Sequence, residues 1–96
     1  MDISTLLRAA RDHLDSEPAF ALDCATAALH WMAQGRFYEL KAGDVWQAQS
    51  HALRAAEAVG RVEPTRALIA GLIASAATDA FVRKHLSRPF GVAVGR

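Results

Sequence analysis

The sequence predicts an all-α fold: a compact bundle of four to five short helices, the second at its centre, with an extended C-terminal tail. Three observations lead there. Apolar residues recur at spacings of three and four through most of the chain, which is the helical period. The helical stretches are punctuated by start and stop signals, Ser16-Glu17-Pro18, Gly35, Gly60 and Glu63-Pro64-Thr65. Alanine supplies 21 of the 96 residues; it costs least in a helix and lets helices approach closely.

The first helix is expected over 3–15, with Ile3, Leu6, Leu7, Ala10 and Leu14 forming one buried stripe and Asp2 or Ser4 as its cap. The second starts at Ser16-Glu17-Pro18 and runs to Gln34, with Gly35 as its stop. Its polar residues Asp23, Thr26, His30 and Gln34 fall on one narrow line, so most of its circumference is expected to be buried. A connector, Arg36–Gly43, leads to a third helix capped by Asp44 and ended by Gly60. There Val45, Ala48, Ala52, Ala56 and Val59 form the inner stripe, widened by Trp46, Leu53 and Ala55, and Gln47, Ser50, His51, Arg54 and Glu57 face out. A fourth helix is expected over 64–74, buried or paired with another chain because its polar side is thin. A fifth covers 77–87, capped by Ser75 or Thr78 and ended by Pro89. The domain is therefore placed at 1–88, with 89–96 as an extended or flexible tail, where Val92 and Val94 alternate with small residues in an extended pattern.

Composition narrows the function classes. Eleven basic and ten acidic residues give a net charge of +1, which argues against a protein that coats nucleic acid. The single Cys24 excludes an intramolecular disulfide and fits a reducing cytoplasm. Asp2, Arg8 and Arg11 interrupt the start of the chain, so it does not read as a signal peptide. The apolar run Ala67–Ala77 is about half the length of a membrane span.

Catalytic and ligand constellations are not legible. His13, His30, His51 and His85 lie on four different helices, none with a second histidine three or four positions away, so neither metal nor cofactor is expected. Cys24 sits on an apolar face and His30 points elsewhere, so no activated nucleophile is expected. The glycines are scattered stops rather than a phosphate loop. The stretch from Ala55 to Arg66 has the cadence of a helix-turn-helix. Its second helix, however, offers only Thr65 and Arg66 before Ala67, Leu68 and Ile69, where a groove reader needs polar and basic side chains.

Two groups remain as candidate partner-binding residues. Arg36, Phe37 and Tyr38 lie in the connector, bracketed by Trp31 and Trp46; aromatic residues and arginine are the favoured anchors of interfaces. Arg83, Lys84 and Arg88, with His85, make the C-terminal end cationic. That end either complements a helix dipole or contacts phosphates or an acidic surface. The expected function is thus a non-enzymatic binding protein acting on a macromolecular partner, a protein or a nucleoprotein complex. Nucleic-acid binding through the basic end is the alternative. A homodimer would add buried surface to a chain whose core leaves little margin.

The segment Phe37-Tyr38-x-Leu40-x-x-x-Asp44-Val45-Trp46-x-Ala48, followed by Leu53-x-Ala55-Ala56-Glu57-x-x-Gly60, resembles small helical proteins of bacterial mobile elements, anti-CRISPR inhibitors among them. The resemblance covers about a quarter of the chain and transfers no residue role. It implies a single-domain, non-enzymatic protein that occupies a surface of a CRISPR effector.

Overall fold

The computed structural model describes residues 3–35 and 40–94, with side chains to residue 87. Five helices follow one another: α1 (Ile3–Asp12), α2 (Pro18–Ala33), α3 (Ala42–Val59), α4 (Val62–Ala74) and α5 (Ala80–Val94). The molecule measures 34 × 33 × 19 Å, and its short dimension is that of two helix layers. α2 packs most extensively against α1 and α3 and is the central element, while α3 touches all four other helices.

The alanines account for this closeness. Ala21, Ala25 and Ala28 on α2 and Ala48, Ala52, Ala55 and Ala56 on α3 are wholly excluded from solvent. Helices that meet through methyl groups approach closely, and larger side chains then fill the spaces at either end of the contact. Leu29, Met32, Val45, Ile69, Val82 and Leu86 are the largest side chains fully buried here. They come from α2, α3, α4 and α5, so one core joins all four, and Ile3, Leu6, Leu7 and Ala10 add the inner stripe of α1.

Several boundaries differ from the sequence expectation. α2 takes Glu17 as its N-cap residue with Pro18 in the first turn. α3 begins at Ala42, two residues before the expected cap. Asp44 lies inside the first turn and its Oδ2 accepts the Lys41 N–H at 3.1 Å, a reach back to the cap residue that satisfies one orphan donor. α4 starts at Val62 rather than 64, because Pro64 is tolerated where the N–H has no helical partner. α5 is capped by neither Ser75 nor Thr78 but by Asp79, whose Oδ2 accepts the N–H groups of Phe81 and Val82 at 3.0 and 3.2 Å.

Three expectations of burial and order are corrected. α2 is not wet along one line only, since Phe20 and Trp31 are also exposed. α4 is not well buried within this chain, the first of the two readings of its thin polar side: it buries only Thr65 and Ile69, with Leu68, Leu72 and Ile73 half-buried. Residues 89–94, expected as tail, are helical: α5 continues through Pro89 to Val94.

The turn after α2 fixes where α5 begins. Gly35 adopts φ 70°, a left-handed conformation that glycine reaches without strain. The Asp79 N–H donates to Ala33 O at 2.9 Å, and a Cβ on Gly35 would sit 2.7 Å from Asp79 Oδ1. One glycine therefore ends α2 and leaves room for the aspartate that starts α5. Gly71, by contrast, lies inside α4, and a Cβ there would meet nothing within 4 Å. Gly35→Ala should destabilise the protein by at least about 1 kcal/mol, lowering Tm by roughly 4–8 °C. Gly71→Ala should stabilise it by about 0.5–1 kcal/mol. Thermal melts of the two variants check both signs.

Candidate binding surface

α5 passes through Pro89, and this dictates the geometry beside it. Proline has no N–H, so the carbonyl four residues earlier, that of His85, loses its helical donor. The indole Nε1–H of Trp46 on α3 donates to that oxygen at 3.1 Å. One turn along the same face of α3, Gln49 is buried and its Nε2 donates to Leu86 O at 3.4 Å. Two side chains of α3 thus donate to successive carbonyls of α5: Trp46 pairs the one that Pro89 leaves without a helical donor, and Gln49 adds a buried bond to the next.

The tether leaves aromatic surface in solvent. Trp46 is 42% exposed and Phe81 is 40% exposed. The His85 ring lies between them, edge-on to each, with centroids 5.8 Å from Trp46 and 4.5 Å from Phe81. Edge-to-face contacts of this kind favour a fixed arrangement. Lys84 is exposed beside the group. The result is a three-ring surface with a cationic edge, held by a hydrogen bond to backbone. The His85 Nδ1 is buried without a partner, and the ring packs edge-on against its two neighbours. A second exposed aromatic, Phe20, sits edge-on to His13 at 4.9 Å.

The expected partner-binding residues fare differently. Arg36, Phe37 and Tyr38 lie outside the described residues, as does the side chain of Arg88. Arg83 is half-buried, and its Nη1 reaches towards Ser75 O at 3.5 Å. It faces the C-terminal end of α4, where a cation offsets the helix dipole. Lys84 alone among the described cations of this end stands free in solvent. Trp46 of α3 is brought together with Phe81 and His85, which lie one turn apart on α5. The signal that could have found them is Pro89: a carbonyl at position 85 without its helical donor calls for a Trp, Gln or Asn donor from another helix.

The remaining candidates have structural roles. Cys24 is buried, and burial, with the Asp23 charge beside it, pushes its thiol up from the ordinary value. It therefore stays protonated and a poor nucleophile. Thr65, one of the two polar residues on the would-be reading helix, is buried. Among the described residues no three His, Cys, Asp or Glu side chains gather as a metal site, and no helix is long and apolar enough to cross a membrane. Comparison with protein-family models, curated proteins and solved structures gives no match. The fold and surface thus define a class, an all-α bundle presenting fixed aromatic rings.

His51 departs from its expected outward position. It is half-buried, and its Nδ1 is enclosed without a partner. Burial, then Arg54 and Arg11, lower its pKa from 6.5. The folded chain therefore holds this histidine neutral, while the unfolded chain takes up the proton first. Stability contributed by the neutral ring is complete above pH 6.5 and falls as the pH drops through that value. Urea unfolding between about pH 7.5 and pH 5.5 should show this loss, and His51→Gln should flatten it.

Proposed function

We propose that this chain is a non-enzymatic binding protein that works by occupying a protein partner, free or within a nucleoprotein complex, in the cytoplasm. The observation that carries the reading is the pair of exposed rings, Trp46 and Phe81, packed on half-buried His85 and fixed by the indole bond to the His85 carbonyl. Rigid aromatic rings give contact area at low entropic cost and are enriched among interface anchors. The exposed Lys84 at the edge suits a partner with an acidic rim. Inhibition of a CRISPR effector is the particular form that the resemblance to anti-CRISPR proteins suggests. Nucleic-acid binding through 83–96 has less support, because the Arg83 guanidinium is directed at Ser75 O.

Phe81 is exposed and makes no hydrogen bond through its ring, so Phe81→Glu should leave the helical content unchanged. Affinity capture from the native host should recover a protein with the wild type, and the variant should bind that protein at least about tenfold more weakly. Equal recovery by both would remove this surface from the function. For the CRISPR form, expression should restore phage plating on a CRISPR-immune strain and Phe81→Glu should abolish the rescue; no rescue across CRISPR types dismisses that form.

A further inference from the structure

Beside α1, away from the α5 contact of Trp46, the stripe Ser4, Leu7, Arg8 and Arg11 of α1 meets Asp44 and Gln47 of α3 around a groove of about 160 Å³. That is far more than the roughly 10–15 Å³ that admits one water, and it has room for a polyatomic ion. Residues 4, 8 and 11 share a face of α1, and 44, 47, 51 and 54 share a face of α3. The two stripes face one another, bringing cations from both helices into one neighbourhood. Arg8 makes no ion pair among the described residues, and Arg11 holds Asp12 at 3.2 Å in an exposed neighbour pair, which is weak.

We propose that this groove binds a phosphate group, free or as the monoester of a small molecule, through Arg8 and Arg11 on one wall and Gln47 on the other. Guanidinium groups present fixed forks of donors that match phosphate oxygens, and the Gln47 amide and Ser4 hydroxyl supply neutral donors from different directions. Donors on two walls suit a tetrahedral oxyanion better than a planar carboxylate. Ser4 and Asp44 belong to the first turns of α1 and α3, whose N–H ends carry positive potential, and Arg8 and Arg11 continue the lining to the last turn of α1. Asp44, the acid in the lining, already accepts the Lys41 N–H. After the larger effect of burial, Arg54 and Arg11 also disfavour protonation of His51, which places both guanidinium groups near that ring. Asp12 and Asp44 border the group, so the positive charge is local. It does not extend into the track that a nucleic-acid backbone follows.

The test titrates the full chain with sodium phosphate at constant ionic strength while NMR follows the His51 ring. A saturable shift and a raised His51 pKa are expected. The Arg8→Gln, Arg11→Gln double variant, with helicity checked by circular dichroism, should weaken binding at least about tenfold. A nucleoside monophosphate should bind as phosphate does. Equal shifts with sodium chloride, or full binding by the double variant, would overturn the site. A DNA oligonucleotide binding far more tightly than phosphate, with steep salt dependence, would overturn the small-ligand assignment. Phe81→Glu should leave phosphate binding unchanged, which separates this site from the aromatic surface.

Discussion

The carbonyl of His85 is the constraint on which the arrangement of the C-terminal half turns. Pro89 removes its helical donor, and a proline inside a helix costs about 3 kcal/mol. The helix continues because α3 lies alongside with Trp46 placed to donate. One hydrogen bond therefore does three things. It pairs the carbonyl, it fixes α5 on α3, and it turns the Trp46 ring so that part of it stays in solvent next to His85 and Phe81. The proposed binding surface follows from a backbone requirement, and rings fixed in this way lose little entropy when a partner covers them.

The remainder of the bundle rests on methyl groups. Alanines on α2 and α3 bring those helices together, and α3 then touches every other helix. α3 carries different chemistry towards different neighbours: alanines in the core, Trp46 and Gln49 towards α5, and Gln47 towards the groove beside α1. Such a helix couples the two proposed sites to one core while keeping their side chains apart.

Much of the fold was legible because it depends on local signals. Pro18, Gly35, Gly60 and the apolar spacings locate four helices to within a few residues, and the scarcity of polar residues on α2 marks its central place even though Phe20 and Trp31 are also exposed. What failed depends on contacts between distant residues. Pro89 reads as a stop when α5 is considered alone, and the donor that overrides it lies 39 residues before the carbonyl it serves. Asp79 replaces Ser75 and Thr78 as the cap because its amide is tied to Ala33 O. His51 reads as outward from its stripe, yet the packing of α1 against α3 encloses its Nδ1. The candidate surface was legible only in part: Trp46 and His85 stood out as residues, and their meeting with Phe81 requires the α3–α5 packing.

A double-mutant cycle tests the central claim most directly. Trp46→Phe removes the indole donor, and Pro89→Ala restores a backbone N–H four residues after His85. Unfolding free energies of the wild type, the two single variants and the double variant give the coupling between these positions. Trp46→Phe should cost about 1–3 kcal/mol with Pro89 present, and at least about 1 kcal/mol less in the Pro89→Ala background. Costs that add to within about 0.5 kcal/mol would show that the indole does not replace the missing amide, and would contradict the account.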